Sequence, residues 1–198
     1  MFILNWKSQL WIAVGYNPFI FEPTETTHGG TGFYIRDNIN FIERSDIELT
    51  SPGNFESKFI EIKFENKNLV IGCIYRHPNS QISVPNFCEE HLDPILIKIA
   101  NDNKQCILMG DFNVNLLKSD SDTAISLFYN TLTSHHYSPF VLQPTRLRSK
   151  TLIDNIVFNS QEWKSFNWNI WSSHSISCAW RFCESIKAAQ NRIIQEGF

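Results

Sequence analysis

The sequence predicts an α/β or α+β sandwich of sheets flanked by helices, and three observations lead there. Short β-type runs alternate with amphipathic helical stretches, two of the runs form a hairpin around a polar turn, and no repeat, linker or low-complexity stretch divides the 198 residues. The length suits one ordinary domain, and 42% apolar residues with 16 Phe and 6 Trp can build a sizeable core.

Segment 1–21 is apolar, but Asn5, Lys7 and Gln9 interrupt it and Pro18 breaks it. A spanning helix needs roughly 20 apolar residues without such breaks, so the segment is read as part of the folded domain or as a non-native start, and no membrane role is expected. Residues 31–36 follow a Gly-Gly turn and read as a strand. Residues 57–64 alternate over their second half, the turn 65–68 follows, and 69–75 are nearly all apolar. That is a hairpin whose second strand is buried on both faces.

In 84–100, Cys88, Leu92, Ile95, Leu96 and Ile99 share one helical stripe, which Pro94 should kink or split. Residues 105–109 form a short buried strand running into Gly110-Asp111-Phe112-Asn113. Residues 121–136 are amphipathic with Ile125, Phe128 and Leu132 inward, and Asp120, Ser121 or Asp122 is the cap. Residues 152–158 give another strand. From Asn159 the pattern loosens: Trp163, Trp168 and Trp171 follow no clean period, and 183–196 read as a largely polar helix.

A net charge of −3 gives no basis for DNA binding, which favours basic chains, although an acidic metal cleft would offset basic residues elsewhere. Cys73, Cys88, Cys106, Cys178 and Cys183 form no Cys-x-x-Cys pair, and Cys73 and Cys106 lie in apolar runs. They read as small core residues of a soluble, intracellular protein.

Three segments carry chemistry. At the end of the 105–109 strand, Asp111 and Asn113 stand two residues apart, a spacing that in a strand points both to one side. A carboxylate can align or deprotonate a water, and an amide can hold that carboxylate or a phosphate oxygen. The plainer reading is a turn that favours Gly, Asp and Asn. Second, Tyr75 ends a strand before Arg76-His77-Pro78-Asn79, where any of the first three polar groups can meet a phosphate. Third, Thr145-Arg146 precedes Leu152-Ile153-Asp154-Asn155, where Asp154 is an isolated carboxylate in an apolar strand, costly unless a partner such as histidine offsets it.

The order and spacing of these segments resemble the endonuclease domain of LINE-like non-LTR retrotransposons, in the endonuclease/exonuclease/phosphatase superfamily. The resemblance runs over residues 15–159, from Gly15-Tyr16-Asn17 through His28-Gly29-Gly30-Thr31-Gly32-Phe33, Glu56-Ser57-Lys58-Phe59-Ile60-Glu61 and Ile74-Tyr75-Arg76-His77-Pro78-Asn79. It continues through Met109-Gly110-Asp111-Phe112-Asn113 and Pro144-Thr145-Arg146 to Thr151-Leu152-Ile153-Asp154-Asn155. It implies an α/β fold of four layers, two β-sheets packed face to face with helices outside, over residues 1–177, with 178–198 an unassigned tail. It also implies Mg²⁺-dependent nicking of one DNA strand to leave a 3′-hydroxyl, in a monomeric domain normally fused to a reverse transcriptase and acting in the nucleus.

On that resemblance Asp111 activates or positions the attacking water, while Asn113 and Tyr75 bind the scissile phosphate. Thr145 and Arg146 contact DNA, and Asp154 orients the catalytic histidine. The family's metal-binding Glu has no equivalent, since no acidic residue precedes Gly15, and Glu56 falls at a position that reads as structural. The family's Ser-Asp-His is matched by Ser172-Ser173-His174, with Ser in place of Asp. With about two fewer negative charges, Mg²⁺ would be weakly held, so weak or absent catalysis is expected. Two alternatives are a phosphatase of the same fold and a non-catalytic remnant that binds DNA or protein.

Overall fold

The computed structural model describes residues 17, 20–22, 31–64, 67–146, 148–159 and 176–178. Strands β1 (Ile20–Glu22), β2 (Thr31–Ile35) and β9 (Ile176–Cys178) form an antiparallel sheet in the order β1-β2-β9. The larger sheet contains β3 (Phe41–Glu43), β4 (Phe55–Phe64), β5 (Lys67–Arg76), β6 (Gln105–Asp111), β7 (Ser138–Pro139) and β8 (Asp154–Phe158). Its order is β3-β4-β5-β6-β8-β7, with β5 and β6 parallel and every other pair antiparallel.

Strand alternation sends successive side chains to opposite faces, and this divides the core in two. Ile60, Ile62, Ile71, Cys73, Ile107 and Met109 face Phe33 and Ile35 of the small sheet. Phe59, Val70, Ile74, Cys106 and Leu108 face the helices. The predicted sandwich is present, with one helical layer, the six-stranded sheet and the three-stranded sheet among the described residues.

The hairpin is longer than the sequence reading, and β5 is buried along nearly all its length as predicted. The helical run splits at Pro94 into α1 (Val84–Asn86), a π-helical turn (Phe87–Leu92) and α2 (Asp93–Asn101). The Asp93 N–H reaches back five residues to the Cys88 carbonyl. The wider turn accommodates a ring that would otherwise strike the preceding turn. Helix α3 (Thr123–Ser134) is capped by Asp122, whose side chain accepts from the Ala124 and Ile125 N–H groups. Among the described residues no helix is long and apolar enough to cross a membrane.

The sheet end away from the parallel strands' C-termini is tied by one buried cation. Arg44 donates to Asp46 at 2.8 Å, Glu61 at 2.6 Å and Asp102 at 2.7 Å, joining the turn before β4 to β4 and to the end of α2. Glu61 also receives Lys104 and Asn68. Replacing Arg44 by Met leaves Glu61 buried with only part of its compensation. We expect it to cost about 3 kcal/mol in urea unfolding, with the cooperativity of the transition unchanged.

Candidate active site

The C-terminal ends of β5 and β6 carry a row of polar residues that the sheet register alone assembles. Glu56 in β4 opposes Tyr75 in β5, Tyr75 opposes Asp111 in β6, and Asp111 opposes Asp154 in β8. Directly opposed residues project to one face with their Cβ atoms about 5 Å apart. By alternation with Cys73, Met109 and Ile156, that face is the one turned to the small sheet, so the row rims the inter-sheet core. All four side chains are buried, Asp111 at 2% exposure and Asp154 at 9%.

Asp111 is the centre of the row. One of its oxygens accepts from the Asn113 N–H at 3.1 Å, and the other takes the Arg146 guanidinium at 2.9 Å. Burial pushes its carboxyl up to about 6, the Asp154 carboxylate next to it adds to the rise, and the Asn113 N–H and Arg146 oppose it. The result is a base poised near neutrality, a useful value for taking a proton from water.

Asn113 corrects the expectation of strand spacing. Strand β6 ends at Asp111, and Asn113 lies in the left-handed region with φ of 49°, which Asn tolerates better than most residues. Its support of Asp111 comes from the backbone N–H, while its side-chain amide donates to the Arg76 carbonyl at 2.6 Å. Strand β8 also starts later than predicted, at Asp154. The Leu152 and Ile153 carbonyls instead accept from Leu116 and Phe112 in the loop after β6.

Thr145 and Arg146 arrive from the loop before β8. The Arg146 and Thr151 backbones form an isolated bridge, and the Thr145 hydroxyl accepts from the Asp154 N–H at 3.4 Å. This anchors Arg146 over Asp111 while leaving half of its side chain exposed. Tyr75, Asp111, Asn113, Thr145, Arg146 and Asp154 are therefore brought together. His174, the helix read at 183–196 and segment 1–16 lie outside the described residues.

Two further residues depart from the sequence reading. Arg76 does not face the site: its guanidinium is buried on the helix side, 5.9 Å from the Phe87 ring centroid, and donates to the Ile82 carbonyl. Burial lowers its pKa, with the Cys88 thiol opposing the shift. Glu56, read as structural, stands in the row with a carboxylate oxygen 2.9 Å from His77 Nε2. The His77 ring packs against Tyr75 with centroids 4.6 Å apart. The only signal for Glu56 was the hairpin register, which becomes readable once the turn is placed.

The described donor set does not fit Mg²⁺ by itself. No group of three His, Cys, Asp or Glu side chains is placed to hold a metal among the described residues. Glu56 and Asp111 are two strands apart, about 10 Å, too far to share one ion.

No family model and no curated protein sequence matches the chain. Solved structures do. The endonuclease domain of TRAS1, a telomere-specific non-LTR retrotransposon, matches with a TM-score of 0.54 at 12% identity, over 77% of this chain and 70% of that one. The mannosyl-6-phosphatase Bt3783 of Bacteroides thetaiotaomicron matches with a TM-score of 0.51 at 11% identity, over 75% and 64%. One relative acts on nucleic acid by name and the other on a phosphorylated sugar, so the shared architecture does not choose a substrate. At these identities the likeness is one of fold, and the chain shares the α/β fold of these two proteins.

Proposed function

We propose that this chain is a phosphodiesterase domain of the retrotransposon endonuclease type. Its row of Tyr75, Asp111 and Asp154, with Asn113 and Arg146, receives a DNA backbone phosphate, and its hydrolytic step is slow. The observation that carries the reading is the register that aligns Tyr75, Asp111 and Asp154 on one face at the C-terminal end of a parallel strand pair. Binding sites in α/β sheets favour such ends. Asp111 supplies a carboxylate able to accept a proton from an attacking water, and Arg146 supplies positive charge beside it. Phosphoryl transfer needs mainly positioning and charge neutralisation, and both are present.

The step is slow because Asp111 is held by Arg146 and because the described residues form no cage for a hard cation. Mg²⁺, where bound, would neutralise charge on the phosphate. DNA as substrate, a nuclear site of action and a fused reverse transcriptase belong to this same proposal.

The test is nicking of supercoiled plasmid in Mg²⁺ beside hydrolysis of p-nitrophenyl phosphate, with Asn113→Gly as comparison. Gly keeps the left-handed backbone without strain and removes only the amide. Slow plasmid nicking that falls at least about tenfold in the variant is expected, with the monoester untouched. Monoester hydrolysis with intact plasmid would favour a phosphatase. Salt-sensitive DNA binding without nicking in a folded sample would favour a non-catalytic binding module.

A further inference from the structure

Asp111 and Asp154 are buried carboxylates side by side on adjacent strands, an arrangement that calls for a cation. The structure supplies one from the chain itself. Arg146 lies 2.9 Å from Asp111, on a loop fixed by its bridge to Thr151 and by the Thr145 hydroxyl on Asp154. We propose that Arg146 is the resident cation of this site, and that it grips a phosphate without a metal ion. This rests on the functional reading above and adds to it how the phosphate is held.

The geometry suits that role. A guanidinium has five N–H donors in a planar fork, and Asp111 uses one of them. The side chain is 51% exposed, which leaves it accessible to a ligand. A carboxylate behind a guanidinium fixes its orientation, and the free edge can take two phosphate oxygens together. Asp111 therefore has two partners to serve, a water to activate and an arginine to position. That division predicts phosphate capture with slow turnover.

The experiment uses the full chain and a short fluorescein-labelled duplex, followed by anisotropy in EDTA and in millimolar Mg²⁺. Thermal shifts with inorganic phosphate in EDTA run alongside, and circular dichroism checks that each variant is folded. Wild type is expected to bind the duplex in EDTA with no gain from Mg²⁺. Arg146→Ala should weaken binding at least about tenfold and lower the salt slope by about one, and Arg146→Lys should fall between. Phosphate should raise the melting temperature of wild type and leave that of Arg146→Ala unchanged. Binding that requires Mg²⁺, or an Arg146→Ala protein that binds as wild type does, overturns the proposal. An Arg146-dependent phosphate shift without duplex binding sinks the DNA reading and leaves this one standing. Absence of both overturns this one.

Discussion

Gly110→Ala is expected to cost the protein a large part of its stability. Strand β6 lies between β5 and β8, and a Cβ on Gly110 would fall on the Ile74 carbonyl oxygen of β5. The obstacle is backbone in the parallel pair at the centre of the sheet, so no rotamer change relieves it. To make room, β5 and β6 must separate, and their hydrogen bonds and the packing on both faces go with them. The cost should exceed about 4 kcal/mol, against a total stability for such a domain of about 5–15 kcal/mol. Gly53→Ala is the control: its φ of 73° disfavours a side chain, yet nothing lies near the added carbon, so about 1 kcal/mol should be lost. Urea unfolding followed by circular dichroism separates the two. A Gly110→Ala protein melting like wild type would mean that β5 and β6 do not approach this closely. The same approach holds Tyr75 beside Asp111, so this glycine is part of how the site is built.

The fold was legible where local pattern and burial agree. The hairpin, the strand ending in Gly110-Asp111, the split at Pro94 and the Asp122 cap all follow from side chains within a few residues of one another. What escaped depends on partners distant in sequence. Arg146 reaches Asp111 across 35 residues, and no spacing rule predicts that pair. Glu56 reads as a structural position until the hairpin register sets it opposite Tyr75 and the next turn brings His77 over it. Arg76 looks like a phosphate contact because it follows Tyr75, but alternation along β5 sends it to the helix side. Strand spacing from Asp111 would carry Asn113 to the same side, but the backbone between buried Phe112 and Val114 turns through the left-handed region. Leu152 and Ile153 read as strand because they are apolar, while their carbonyls serve the loop after β6.

Asp111→Asn should lower nicking by about two to four orders of magnitude and at the same time make the protein more stable above pH 6. Activity falls because an amide cannot take a proton from water. Stability rises because burial and the neighbouring Asp154 make the ionised carboxyl costly in the folded state, where its pKa is pushed up to about 6 from an ordinary 3.8. Below that ordinary value Asp111 is protonated in both folded and unfolded chains and costs nothing. Between there and pH 6 the unfolded chain ionises first, so the folded state loses ground as pH rises, and above pH 6 the loss is constant. Two units correspond to about 3 kcal/mol, an upper bound on the gain, because the variant also gives up the attraction of Arg146. That attraction is modest, since Arg146 is half exposed and can turn to solvent. Melting curves of both proteins should therefore coincide near pH ~3 and diverge by up to roughly 10 °C at about pH 7.5. Curves that stay parallel across that range would mean the ionised carboxyl is fully compensated in the fold. Asp111 would then be a poor proton acceptor, and the weight of the site would shift from hydrolysis to binding.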